Sequence, residues 1–258
     1  MATPAEKLAE SLDRLTKLQE KGIIAIKSNT LSRTHRERLL QNGFIGEVYK
    51  GWYISVPPLA AKGDSTSWYS SFWEFCAQLM EDKFGKDWCL SPEQSLLLHG
   101  GNTVVPNQLI IRSPAANNSV TAFPHNTSLF LLRAKQPSNG EVAKMGNLRI
   151  YSLAASLVRA SPNTFTKHTI DVKTALSLVR DASGLLTLLL EGGHSAIAGR
   201  LAGAFRNIQY NRIADDIVKT MKKAGFVVRE SDPFEKRAST PLSNRLLSPY
   251  GNRIKLMW

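Results

Sequence analysis

The side chains best suited to a chemical task lie in one stretch, SRTHRERLLQNGFIGEVYKGWYIS, which covers residues 32–55. Its first seven positions hold three arginines, one histidine, one serine and one threonine. Guanidinium groups can bind guanine edges or phosphates, and hydroxyl groups bond phosphate oxygens, so this composition suits DNA. We predict that the DNA-contacting side chains are those of Ser32, Arg33, Thr34, His35, Arg36, Arg38 and Lys50.

The elements around these side chains must point them outward if they are to reach DNA. Ser32 is a candidate N-cap for a helix that runs to Asn42, and the glycine that follows is a typical stop. We expect residues 32–34 and Arg36 to face solvent, while the leucines at 39–40 face the core. The N-terminal end of such a helix is the part that enters the major groove in many DNA-binding motifs.

The flanking pattern predicts a winged helix over residues 1–56. Leucines at 8, 12, 15 and 18 form one stripe of a first helix, and IIAI at 23–26 is a short strand candidate. FIGEVY and WYIS read as two strands joined at Lys50-Gly51, which places Lys50 at the tip of a hairpin. The segment KSNTL, where a winged helix has a further helix, is too short for a full one.

Two other interpretations of the basic stretch stay open. A winged helix can serve protein contacts alone, and a basic helix can be an ordinary solvated surface. The net charge of +12 over 258 residues favours an anionic partner but does not choose among the three.

A catalytic site is not indicated by the remaining motifs. The run GHSAI at 193–197 lacks the final glycine of the G-x-S-x-G nucleophile elbow. We instead expect Ser195 to cap a helix whose small residues, Gly199 and Gly203 among them, let another element pack closely. The five histidines are scattered, and neither a P-loop nor a paired-cysteine metal motif occurs. The prediction is a protein that is not an enzyme and uses no metal or cofactor.

The compartment predicted from the sequence is the cytoplasm. Residues 1–21 are amphipathic and charged, unlike a signal peptide, and the longest apolar run, GLLTLLL at 184–190, is far too short to span a membrane. Two cysteines do not form a disulfide framework, and Cys76 falls among aromatic residues at helical spacing, so we expect a reduced thiol in the core.

The fold class predicted for the whole chain is α+β: a winged helix, then a mixed α+β domain with a helical C-terminal half. A proline-rich linker at 56–65 separates the first domain from the second, at 64–226. Aromatic residues mark a long helix near 68–79, and three strand-like runs follow. We expect a loop over 136–147, helices beyond it, and a basic, Pro/Ser-rich tail at 227–258.

Three segments in order resemble the AbiEi-type antitoxins, predicted transcriptional regulators of abortive-infection toxin–antitoxin loci. They are LQEKGIIAI with the basic stretch, then WCLSPEQSLLLHGGNTVVPNQLIIRSP, then LLEGGHSAIAGRLAGAFRNIQYNRIADDIVKTMKKAGF. A closer likeness is to the region ahead of the catalytic domain in some bacterial Fic proteins, and this extends into ESDPFEKR…SPYGNRIKLMW. The Fic signature H-P-F-x-x-G-N-G-R does not occur in the chain.

The resemblance implies a winged helix on operator DNA and a second domain for dimerisation or toxin control. The function predicted is therefore a non-enzymatic regulator of the antitoxin type, with operator DNA, a toxin and a second copy of the chain as partners, and no membrane association. The alternative is an interaction module of a Fic-type adenylyltransferase system, whose catalytic domain would lie outside these residues.

Overall fold

The computed structural model describes residues 3–58, 61 and 63–235. It is a mixed α+β protein, as predicted. Residues 3–58, here called the N-terminal module, form two helices and three strands. In chain order these are α1 (Pro4–Glu20), β1 (Ile26–Lys27), α2 (Arg33–Gln41), β2 (Ile45–Tyr49) and β3 (Trp52–Ser55). The three strands form an antiparallel sheet in the order β1-β3-β2.

Both helices of the N-terminal module have a side-chain cap at their N-terminus, and α2 begins after Ser32, as predicted. Thr3 and Glu6 form a capping box at the start of α1, which satisfies backbone N–H groups that have no partner inside the helix. Ser32 caps α2 by accepting a hydrogen bond from the backbone N–H of His35 at 3.4 Å. Leu15 and Leu39 are buried between the helices and the sheet, which confirms the predicted core face.

A second group of elements follows the N-terminal module and contains two sheets. The elements are α3 (Thr66–Phe84), β4 (Cys89–Leu90), α4 (Pro92–His99), β5 (Gln108–Ser113), β6 (Ser119–Ala122), β7 (Ser128–Arg133), β8 (Val142–Met145) and β9 (Leu148–Tyr151). One sheet has the order β4-β5-β7-β6, in which β5 and β7 are parallel and the other pairs antiparallel. The other sheet is the antiparallel hairpin β8-β9.

The long helix α3 holds the N-terminal module against these sheets. Its buried face carries the aromatic residues predicted for it, and Phe75 packs edge-on to Trp52 of β3 at 6.3 Å between ring centroids. Gln78 accepts hydrogen bonds from the backbone N–H groups of Ile24 and Ala25 at 3.1 and 2.8 Å. The module therefore shares a core with α3 instead of standing apart.

The C-terminal half is helical, as predicted. It consists of α5 (Leu153–Arg159), α6 (Pro162–Lys167), α7 (Thr169–Ser177), α8 (Ser183–Glu191), α9 (Ser195–Asn207) and α10 (Asn211–Lys223). Their apolar faces meet in one cluster centred on α9, whose Leu201, Ala202 and Phe205 are fully buried. No helix in the described part of the chain is long and apolar enough to cross a membrane.

The small residues of α9 pack against the segment around 229–231 of the same chain. The Ser231 N–H donates to the Gly199 carbonyl at 3.2 Å, and a Cβ on Gly199 would lie only 1.9 Å from the Arg229 carbonyl oxygen. Gly203 meets the backbone of Ser231 in the same way. Close packing at these glycines was expected, and the element packed there is the segment around 229–231.

Several predictions need correction or fall outside the described residues. The expected loop at 136–147 contains β8, because Val142–Met145 pairs with β9 across a turn at Gly146, which has φ +57°. Ser195 is the first residue of α9 and gives no cap, and the IIAI segment contributes only its last residue to β1. The predicted linker includes 59, 60 and 62, and the tail mostly lies beyond 235, so these positions lie outside the described residues.

Both cysteines are buried and unpaired, so the reduced thiol expected at Cys76 is confirmed. Burial raises the pKa of the Cys89 thiol to about 12, which keeps it protonated and unreactive in the folded protein.

Candidate nucleic-acid interface

The exposed end of α2 carries three of the predicted contacts. Ser32, Arg33 and Thr34 all face solvent, and 83% of the Arg33 side chain is exposed. Arg33 Nε lies 2.6 Å from the Glu37 carboxylate one turn along the helix, and this hydrogen bond and charge raise the pKa of the guanidinium. The helix therefore presents a cation at its first turn, together with an acid that partly neutralises it.

Arg36 points toward the sheet instead of solvent. Its guanidinium donates to the Ser28 carbonyl and lies 5.9 Å from the centroid of the Tyr53 ring. The Ser28 N–H in turn donates to the Gly51 carbonyl at 2.8 Å. Arg36 thus links α2 through Ser28 to the tip of the β2–β3 hairpin, and the expectation that it faces outward is corrected.

Arg38 and His35 contact α1. Arg38 donates to the Lys7 carbonyl at 2.6 Å and to the Ser11 hydroxyl at 2.8 Å. His35 Nδ1 lies 2.9 Å from the same hydroxyl oxygen, and its other ring nitrogen is 3.8 Å from Glu10. Both side chains are half-buried and fix the position of α2 on α1.

Lys50 stands at the tip of the hairpin, where the sequence placed it. The two-residue turn Lys50-Gly51 joins β2 to β3, and Gly51 has φ +75°, a left-handed conformation that glycine adopts without strain. The Gly51 N–H donates to the Glu47 carboxylate at 2.8 Å, which further defines the turn. The Lys50 side chain is exposed. Of the seven predicted residues, Ser32, Arg33, Thr34 and Lys50 are therefore the ones that the structure leaves accessible.

The inward positions of His35 and Arg36 carried a signal in the sequence. A residue shares a helix face with residues three and four positions further on. Leu39 is four positions after His35 and three after Arg36, so a buried Leu39 brings both toward the core. Arg33 has Glu37 at that spacing, which keeps it on the polar face.

The partners Lys7, Ser11 and Ser28 had no signal that identified them from sequence, because they act through backbone carbonyls or through contacts distant along the chain. A further nearby cation, Lys27 of β1, is held by Asp82 of α3 at 2.8 Å.

Comparison of the sequence with protein-family models and with curated proteins finds no match. The resemblance to AbiEi-type antitoxins and to Fic-associated regions therefore stays a prediction. The order helix, strand, helix, hairpin is the one predicted for the N-terminal module. Residues 28–30 form a turn where a winged helix has its additional helix, so that name also stays a prediction.

Proposed function

We propose that this chain is a DNA-binding regulator of the antitoxin type, which contacts duplex DNA through the first turn of α2 and the tip of the β2–β3 hairpin. Ser32, Arg33 and Thr34 would meet phosphates or base edges, and Lys50 would meet the neighbouring backbone. The observation that carries the proposal is the link from Arg36 through Ser28 to the hairpin tip. This link fixes the position of α2, which carries Arg33, relative to the hairpin tip, which carries Lys50.

The local chemistry of the α2 terminus supports binding to phosphate. The first backbone N–H groups of a helix have no partner inside it and carry partial positive charge, so anions bind there readily. Arg33 and the hydroxyls of Ser32 and Thr34 add side-chain donors at the same end. In this proposal Arg36, Arg38 and His35 are positioning residues, because their hydrogen bonds and contacts fix α2 against the sheet and α1.

The test is fluorescence anisotropy of a labelled duplex, taken from the DNA upstream of the gene, titrated with the full chain at several salt concentrations. Arg33→Glu and Lys50→Glu should each weaken binding, and each lost phosphate contact should lower the slope of log K against log salt by about 0.9. Lys222→Glu is the matched control, because it removes an exposed cation on α10 and makes the same change of charge.

The proposal fails if the duplex does not bind at about 50 mM salt, where phosphate contacts are strong. It also fails if Lys222→Glu weakens binding as much as the two α2 and hairpin variants do, since binding would then follow net charge alone. Unchanged far-UV circular dichroism must accompany each variant.

A second candidate is an interaction module that holds a toxin or a Fic-type catalytic domain. The observation that favours it is the Arg33–Glu37 pair, which makes the outward face of α2 nearly neutral. Under this candidate Arg33→Glu leaves partner capture intact, as measured by co-purification with the toxin encoded beside the gene or with the Fic domain, whereas DNA binding is absent.

A further inference from the structure

A pocket at the junction of the β4–β7 sheet and the helical half brings together cationic side chains from separate parts of the chain. It encloses about 350 Å³ and is bordered by Arg112 of β5, Arg159 at the end of α5, and Arg200 of α9. Ser161 and His194 also line it, and neither an aspartate nor a glutamate lines it among the described residues. Its charge is therefore positive, in a concave part of the surface.

Two of the three arginines have no acidic partner among the described residues. Arg159 is paired with the buried carboxylate of Glu141. Arg112 and Arg200 are in none of the ion pairs formed by the described residues, and the Nε atom of each is buried without a hydrogen-bond partner. A buried donor without an acceptor is unfavourable, so both guanidinium groups would gain from an acceptor placed between them.

Aromatic rings hold these two guanidinium groups in place. Arg112 lies 5.7 Å from the centroid of Tyr151, and Arg200 lies 4.8 Å from the centroid of Phe165. Arg200 also donates to the Ala160 carbonyl at 3.1 Å. Burial lowers the pKa of the Arg200 guanidinium, because the charged form is less well solvated there than in water.

We propose that this pocket binds the phosphate group of a small anionic ligand, held between the guanidinium groups of Arg112 and Arg200. Each guanidinium is a planar fork of N–H donors, and this geometry suits the oxygens of a phosphate. Phosphate fits better than a carboxylate, since its terminal oxygens can accept from two forks that arrive from different elements. The first turn of α9 borders the pocket at Ile197 and adds partial positive charge.

The probe is inorganic phosphate, titrated calorimetrically into the full chain at constant ionic strength, with a sugar phosphomonoester and acetate as parallel arms. We expect saturable phosphate binding with a dissociation constant on the order of 1 mM or tighter, and weaker binding of acetate. Arg112→Gln should weaken phosphate binding at least about tenfold, because it removes a charge-assisted fork. Arg180→Gln, at an exposed arginine outside the pocket, should leave binding unchanged.

Comparison of inorganic phosphate with the sugar phosphomonoester shows whether the ligand is free phosphate or a phosphorylated small molecule. Tighter binding of the phosphomonoester assigns a phosphorylated small molecule, and equal or weaker binding assigns free phosphate. Arg200→Gln also removes a bond to the Ala160 carbonyl, so Arg112→Gln decides the outcome if the Arg200 variant does not fold. The proposal is overturned if phosphate does not saturate, if acetate binds equally well, if Arg112→Gln binds as the wild type does, or if duplex DNA displaces the phosphate.

Discussion

Arginines of the N-terminal module and of the pocket beside α9 differ in whether a buried donor is left without an acceptor among the described residues. In the module, Arg36 and Arg38 donate to backbone carbonyls of neighbouring elements, so their charge holds the fold together. In the pocket, Arg112 and Arg200 lie against aromatic rings and Arg200 also donates to the Ala160 carbonyl, but the Nε atom of each is buried without an acceptor among the described residues. A dense run of arginines is thus no measure of available charge, because what matters is which acceptors lie within reach of each one.

Arg159 also borders the pocket, but it has an acidic partner, Glu141. Substitution of Glu141 should change the free energy of unfolding more than substitution of Arg38 or Arg112. The Glu141 side chain is almost fully buried and accepts hydrogen bonds from Arg159 and from the backbone and hydroxyl of Ser138, the latter two at 3.0 and 3.1 Å. Glu141→Gln should lower the free energy of unfolding by about 3 kcal/mol at neutral pH, because it removes the buried carboxylate that accepts charge-assisted hydrogen bonds from Arg159 and Ser138. Urea denaturation measures the change.

The control for this variant is Glu37→Gln, which removes the acid partner of the exposed Arg33. A surface pair of this kind contributes about 0.5 kcal/mol or less, so a loss at Glu37 as large as that at Glu141 would contradict the comparison.

The pH dependence offers an independent check on Glu141. Burial raises the pKa of its carboxyl, but hydrogen bonds from Ser138 and the bond and charge of Arg159 outweigh burial, and the net pKa lies below the ordinary 4.5. A lowered pKa stabilises the fold above the unfolded value, and this contribution disappears as pH falls through the folded value. The advantage of the wild type over Glu141→Gln should therefore be complete above pH 4.5 and shrink below it. A difference that stays constant on acidification would exclude this account.

Arg38 provides the next effect in size. Arg38→Ala removes donors to the Lys7 carbonyl and the Ser11 hydroxyl, and should lower the free energy of unfolding by about 2 kcal/mol. Arg33→Ala, on the same helix, should change it by no more than about 0.5 kcal/mol. Urea denaturation of both variants under one set of conditions compares their losses in free energy of unfolding. Equal losses would show that the two arginines do not differ in role.

Much of the fold followed from periodicity. The leucine stripe of α1, the aromatic face of α3 and the hairpin at Lys50-Gly51 were each predicted from residues close in sequence. Both strands of the hairpin Val142–Met145 and Leu148–Tyr151 were missed, although the Gly146-Asn147 pair between them is a turn signal. The segment 136–147 was predicted to be a loop because it is short and rich in polar residues.

The candidate sites were harder to predict, for a physical reason. Arg33 and Lys50 could be predicted from the sequence, because their exposure follows from local position on a helix and at a turn. The pocket could not, since Arg112 and Arg200 belong to a strand and a helix far apart in the chain and meet only through packing. Whether a guanidinium has an acceptor is decided by that packing.

A small effect on stability is expected at Arg112, although this residue is one of the two proposed to hold the phosphate. Arg112→Met keeps a long side chain beside Tyr151 and removes a buried Nε donor that has no acceptor among the described residues. The free energy of unfolding in phosphate-free buffer should therefore stay within about 1 kcal/mol of the wild type, or rise.

Adding phosphate should stabilise the wild type in proportion to the logarithm of its concentration above the dissociation constant, and leave the variant unchanged. Thermal melts with and without phosphate separate the two cases. A variant that loses stability without phosphate would mean that Arg112 holds the fold as Arg38 does.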